Sequence, residues 1–240
     1  MKAVGYLINT NRCYAWQVYF TRRVIMRCLL LSLLLIVFIV PGFAQQTNTD
    51  SSQANSDSIV ADWSFEVDAY YYILPEEKNT TTLIAYADYR ALHMEARYNY
   101  EDVNTGSLFL GYGFEMGNKL VLNLTPMIGC AFGNTNGIVP GLETGLSWKK
   151  FDFYSEMEYV IDLEGKENNY FYTWTELAIT PFHHFRTGVS ASRTRLYQTD
   201  FDLQRGVFAQ YSFWKLTAGI HYFNPFTHDD FGIATLAIEF

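Results

Sequence analysis

From Asp62 to the end of the chain, apolar and polar positions alternate with a period of two, and the alternation breaks at regular intervals. Side chains along a strand point to opposite faces in turn, so each alternating run predicts a strand with one apolar side. In the last run Gly232, Ala234, Leu236, Ile238 and Phe240 share one face, and Phe231, Ile233, Thr235, Ala237 and Glu239 share the other. Trp63, Phe65 and Val67 oppose Ser64, Glu66 and Asp68. Leu92, Met94, Ala96 and Tyr98 oppose His93, Glu95, Arg97 and Asn99. Leu120, Leu122, Leu124 and Ile128 oppose Asn123 and Thr125, and Phe153, Met157, Tyr159 and Ile161 oppose Asp152, Tyr154, Glu156 and Glu158. Trp214, Leu216, Ala218 and Ile220 oppose Lys215, Thr217 and His221.

About twelve strands are predicted, with ten to fourteen as the alternative: Asp62–Leu74, Thr80–Arg90, Leu92–Glu101, Gly106–Met116, Lys119–Ala131, Gly137–Trp148, Phe151–Leu163, Asn169–Thr180, Phe182–Arg193, Phe201–Phe213, Trp214–Phe223 and Asp230–Phe240. Pro126 and Pro140 fall inside two of them and each removes a ladder donor, which predicts a bulge or a shifted boundary. The connections alternate in character. Pro75–Asn79, Asp102–Thr105, Phe132–Asn136, Glu164–Asn168, Thr194–Asp200 and Asn224–Asp229 are longer and polar. Ala91, Gly117-Asn118, Lys149-Lys150, the stretch around Pro181, and Phe213-Trp214 are tight.

An even number of strands, tight turns on one side, longer loops on the other and a last strand ending on Phe240 resemble bacterial outer-membrane β-barrel proteins. The resemblance implies an all-β fold: a single transmembrane antiparallel up-and-down barrel over residues 61–240, in the outer membrane of a Gram-negative cell. In hydrocarbon every backbone polar group must be paired within the protein, so such strands have to close on themselves. The apolar faces then meet lipid, with Trp148, Phe151, Phe213, Trp214 and Phe240 forming an aromatic girdle beside the tight, periplasmic turns. The resemblance also implies partners: outer-membrane lipids, and the barrel-assembly machinery through the strand ending in Phe240.

The preceding residues fit export. Arg22, Arg23 and Arg27 come before the apolar run Cys28 to Val40, and Pro41-Gly42-Phe43-Ala44 follows. That layout predicts a signal peptide within residues 1–44, cleaved after Ala44, with Met26 as the alternative start. The run is too short for a transmembrane helix, which needs about 20 residues. Residues 45–60 are polar and predict a disordered tether. Cys13 and Cys28 belong to the leader, so Cys130 is left alone, with no disulfide partner and no metal-ligand spacing around it.

Aromatic residues make up 18% of the chain, which favours strands over helices. The first 44 residues hold five of the 17 basic side chains and no acid, so 12 bases face 25 acids in the remainder, a balance of −13. Nucleic acid is thereby excluded as a partner. With apolar faces outward, the ionisable residues gather in the lumen. The alternation puts Glu66, Asp68, Asp88, Arg90, Glu95, Arg97, Glu115, Glu143, Glu156, Glu158, Glu176, Arg186, Lys215 and His221 on the channel lining, together with Asp152, Asp162, Asp202 and Glu239. So acidic a lumen favours cations if it holds water.

Turn length decides how these charges pair. A four-residue turn sets Arg90 against Glu95 and Asp88 against Arg97, while a shorter turn sets Asp88 against Glu95. Around Pro181 a similar count places Glu176 opposite Arg186. Across Lys149-Lys150, Glu143 falls opposite Glu156 with no base equally placed, an arrangement that recruits a proton or a cation. Catalysis has less to stand on. His183 and His184 flank a turn, His228-Asp229-Asp230 lies in a loop, and His221 has no serine motif with it. The acidic stretch Asp162, Glu164, Glu167 lacks the spacing of a calcium loop. The sequence thus predicts a narrow passive channel for small polar solutes, with no cofactor and no metal. The alternatives are a plugged structural or surface-interaction barrel and a membrane-embedded hydrolase of phospholipase or protease type. Loops this short predict little room for a folded constriction.

Overall fold

The computed structural model describes residues 63–75, 78–193 and 203–240. The predicted signal peptide and tether, Asp202 and the stretch Thr194–Asp200 lie outside these residues. The strands are β1 (Ser64–Ile73), β2 (Thr80–Tyr89), β3 (Leu92–Tyr98), β4 (Thr105–Tyr112), β5 (Phe114–Gly117), β6 (Leu120–Gly133), β7 (Gly137–Trp148), β8 (Phe151–Asp162), β9 (Tyr170–Phe182), β10 (Phe185–Arg193), β11 (Gln204–Phe213), β12 (Leu216–Phe223) and β13 (Phe231–Glu239).

Each strand pairs antiparallel with its neighbours, and β1 pairs with β13 from Glu66↔Glu239 to Ile73↔Gly232, so the sheet closes into a barrel. β4 and β5 both pair with β6 in one unbroken register, Gly111↔Met127 continuing as Phe114↔Leu124. They are two parts of one strand, and the barrel has twelve. The break falls where Pro126 of β6, which has no N–H, sits in the ladder. Pro140 leaves a similar gap between Ile138↔Ile161 and Gly141↔Glu158. Neither proline shifts the register, so the predicted bulges are absent.

Two-residue turns at Arg90-Ala91, Lys149-Lys150, His183-His184 and Trp214-Lys215 follow from the pairs Tyr89↔Leu92, Trp148↔Phe151, Phe182↔Phe185 and Phe213↔Leu216. Arg90, Lys149, His184 and Trp214 take the positive φ these reversals require. At the remaining turn Gly117 has φ +98°, and a Cβ there would lie 2.0 Å from the Leu120 carbonyl oxygen. The turns correct three expectations. Pro181 lies inside β9 instead of in a turn, and Arg90 and Lys215 are exposed turn residues instead of inward ones. The third concerns the first tight hairpin, where Asp88 pairs with His93 and Tyr86 with Glu95, so neither predicted charge pairing occurs.

The outer face is predominantly apolar around the barrel, with Arg205 exposed on it at the loop end of β11. Leu177 and Ile220 are 55% and 66% exposed, with Val67, Leu83, Leu108, Ile128, Val189 and Leu236 on the same face, whereas Glu95 and Glu156 are 3% exposed. Such a surface in water would cost about 25 cal/mol per Å². In a bilayer it costs nothing, and the closed ladder leaves no strand edge in hydrocarbon. Trp148, Phe151, Phe213, Trp214 and Phe240 are exposed at the tight-turn end beside Trp63, Phe65 and Phe182. Here Trp63 stacks on Phe65, and Trp148 on Phe151.

The interior departs from a wholly wet lumen. Towards the loops, inward positions carry Tyr72, Trp174, Phe208, Phe223, Phe231 and Ile233, all buried. Phe223 stacks on Phe231 at 5.0 Å and meets Trp174 edge-on at 5.5 Å. Aromatic pairs of this kind add about 0.5–1.5 kcal/mol beyond the area they bury.

Candidate functional site: a luminal chamber and its loop-side closure

The closure begins where β3 stops. Asn99 and Asn104 adopt φ of 56° and 54°, a conformation that asparagine tolerates better than most residues. Between them the chain turns into the bore, leaving Tyr100 7% and Glu101 0% exposed. The strand predicted to run to Glu101 ends at Tyr98, and the short loop that follows fills part of the bore, where little room for a folded constriction is predicted. The loop is pinned from several strands. Asn99 donates to the Thr81 carbonyl at 3.0 Å, Thr82 donates to the Asn99 carbonyl at 2.6 Å, and Ser107 donates to Glu101 Oε1 at 2.6 Å. The Tyr170 hydroxyl donates to the Glu101 carbonyl at 2.6 Å from across the lumen. Tyr170→Phe strands that buried carbonyl, at a cost of about 1–3 kcal/mol. Faster hydrogen exchange at the Tyr100 and Glu101 amides, with the strand amides unchanged, is the expected result.

Arg97 sits under the loop. Its Nε donates to Glu95, its Nη1 lies 2.6 Å from Glu158 Oε1 and 3.6 Å from Glu101 Oε1, and its Nη2 lies 2.7 Å from Glu156 Oε1. The guanidinium lies over the rings of Tyr100 at 4.4 Å and Phe109 at 4.1 Å. The Tyr100 hydroxyl donates to Glu156. Four carboxylates thus converge on the guanidinium, and one of them, Glu95, also meets His93. In the loop, burial raises the Glu101 carboxyl above its ordinary range, with Arg97 opposing.

Below this layer lies a chamber of about 440 Å³ on the tight-turn side. Glu66, Asp68, Asp88, Glu143, Asp152, Glu156 and Glu176 line it, with His93 and Arg186 as the bases and Tyr100 and Trp174 towards the closed side. Arg186 Nε donates to Asp152 at 2.8 Å, and its Nη1 donates to Glu176 at 2.6 Å and to Gln210 at 2.9 Å. Glu176 is paired in register with Ser190, not with Arg186 as predicted, and the ion pair forms on the diagonal. Glu143 does stand opposite Glu156. They divide their partners: Glu143 accepts from Tyr154 at 2.7 Å, while Glu156 turns to Arg97 and Tyr100.

Of the residues predicted to face the lumen, Glu66, Asp68, Asp88, Glu143, Glu156, Glu176 and Arg186 line the chamber, and Glu95, Arg97, Glu158 and His221 are buried around it or above it. Glu115 is exposed in the short β5, paired with Asn123. Glu239 is exposed near the end of β13, and Asp162 caps an outer loop by accepting from the Glu164 and Gly165 amides at 2.7 and 3.1 Å. His221 is 2% exposed and lies among Trp174, Phe208 and Phe223. Among the described residues neither of its ring nitrogens has a hydrogen-bond partner, so no serine or carboxylate activates it. His93 shares the parity of Glu95 and Arg97 and lines the chamber.

No protein-family model matches the sequence, and no curated protein matches it. Among solved structures, a KdgM porin aligns at 10% identity with a TM-score of 0.54, covering 73% of this chain and 98% of that one. A KdgM porin in complex with disordered oligogalacturonate aligns at 9% identity and 0.52 over the same shares. A NanC porin aligns at 14% identity and 0.48, again over 73% and 98%. The chain has the fold of outer-membrane porins.

Proposed function

We propose that this chain is an outer-membrane channel of a Gram-negative cell, passing small polar solutes by diffusion with a preference for cations. The chamber is its vestibule, and the layer of Arg97 and Tyr100 is its constriction. One observation carries the reading: seven carboxylates against two bases line one space within a barrel that is apolar outside. Charges of one sign between low-dielectric walls concentrate ions of the other sign. With the tight turns on the periplasmic side, the chamber opens to the periplasm. An oligogalacturonate is a string of carboxylates, and this wall repels such a ligand.

Planar-bilayer recording across a potassium chloride gradient tests the proposal. The reversal potential is expected on the cation side, and an anion-selective current overturns the reading. At about 10 Å in water a unit charge pair is worth about 0.4 kcal/mol, attractive for a cation and repulsive for an anion, so Glu66→Gln alone lowers the cation-to-anion ratio about fourfold. A second reading, a plugged structural barrel, draws on the packed loop-side half. Absence of current from folded protein favours it.

A further inference from the structure

On the chamber wall, His93, Glu95 and Glu143 bring one ring nitrogen and two carboxylate oxygens within 4.8 Å of one another. His93 and Glu95 are two apart on β3 and so share its inner face. Glu143 comes from β7 and reaches the same point through the lumen. His93 Nδ1 is 2.7 Å from Asp88 Oδ1, and Nε2 is 2.6 Å from Glu95 Oε1 and 3.7 Å from Glu143 Oε2. Asp88 accepts the Nδ1 proton, so the proton that Nε2 shares with Glu95 is the one a metal ion would displace, leaving Nε2 as the ligand atom.

We propose that this trio binds a divalent transition metal, for which Zn²⁺ is the probe. Nε2 and one oxygen from each glutamate are the ligands, and the remaining position faces the water of the chamber. The inference rests on the proposed channel's chamber being open to water, and not on its conducting. Zinc bonds of about 2.0–2.2 Å in a tetrahedron set neighbouring ligands about 3.4 Å apart. The Nε2 to Glu143 separation already suits this, and the Nε2 to Glu95 contact lengthens by about 0.8 Å when the metal replaces the shared proton.

Each ligand is braced from behind, as metal ligands commonly are. Asp88 holds Nδ1, Arg97 takes the other Glu95 oxygen, and Tyr154 donates to Glu143 Oε1 at 2.7 Å. An imidazole among the ligands selects zinc-like ions over magnesium and calcium, which take oxygen. Two carboxylates offset the charge of the ion. Sequence spacing hides the site, because its ligands come from strands that are not neighbours.

The test is calorimetric titration of the full chain, folded in detergent and stripped with chelator, using zinc chloride and then magnesium chloride. One saturable zinc site per chain and no comparable magnesium site are expected. His93→Ala and Glu143→Gln remove ligands and each weaken zinc binding at least about 10–100-fold, and Asp88→Asn weakens it about tenfold. Glu115→Gln leaves it unchanged. Heat-modifiable gel mobility reports folding, and His93→Gln replaces His93→Ala where the latter fails to fold. Folded protein without a saturable zinc site, or zinc binding that survives loss of His93, overturns the proposal. Conductance recorded in chelator tests the channel separately: current without zinc binding removes the site alone, and zinc binding without current removes the channel alone.

Discussion

Arg97→Ala is expected to be the most damaging single substitution in the barrel. The guanidinium reaches Glu95, Glu101, Glu156 and Glu158 at once, all at most 3% exposed. Removing one side of a buried ion pair costs about 3–5 kcal/mol, because the remaining charge is stranded. Here several charges are stranded together, and the Tyr100 and Phe109 rings lose the plane they pack on. Folding into lipid vesicles, followed by urea titration and gel mobility, should show a large fall in the midpoint or no folded barrel. Arg97→Lys keeps the charge but not the fork that reaches several carboxylates at once, so it recovers only part of the loss. Protein that does fold should pass more current than the parent, since Tyr100 and Glu101 lose their anchor. A variant as stable as the parent and equally conductive would show that this layer neither supports the barrel nor closes it.

The second large effect belongs to the outer face. Leu177 lies near the middle of β9 at 55% exposure, flanked by Phe153 on β8 and Val189 on β10. Leu177→Arg is expected to cost about 2–4 kcal/mol if that position meets the bilayer centre. The same vesicle titration reads it out. Arg at the exposed turn position of Lys149 should be close to neutral. A barrel that tolerated Arg at Leu177 in lipid would have some other surface facing the hydrocarbon.

The alternation was enough to read the twelve strands, their inner and outer faces and the Glu143–Glu156 pairing, because a strand allows only two side-chain directions. Turn registers were less legible. The register that puts Asp88 opposite His93, two positions from one predicted pairing and four from the other, depends on Arg90 accepting positive φ, and nothing in the local sequence demands that of an arginine. Pro181 looked like a turn residue and is a strand residue, displaced by the pairing of Phe182 with Phe185. The inward loop was the largest omission. Tyr100 and Glu101 continue the alternation of β3, and only the two asparagines at 99 and 104 mark the reversal. Phe223, Phe231 and Ile233 were on the inward face by parity. Their burial against Trp174 needed the curvature of the whole barrel to become visible.

The seam between β1 and β13 has a kinetic consequence. Its partners sit at opposite ends of the described sequence, so the last ladder to form joins residues with the greatest separation along the chain. Loop-closure entropy is met before that ladder returns any energy, which makes joining the two ends a slow, late event. Until then β1 and β12 or β13 present bare edges that another copy can pair with. Assembly of this protein is therefore a race between self-sealing and intermolecular strand exchange, and dilution should favour the first.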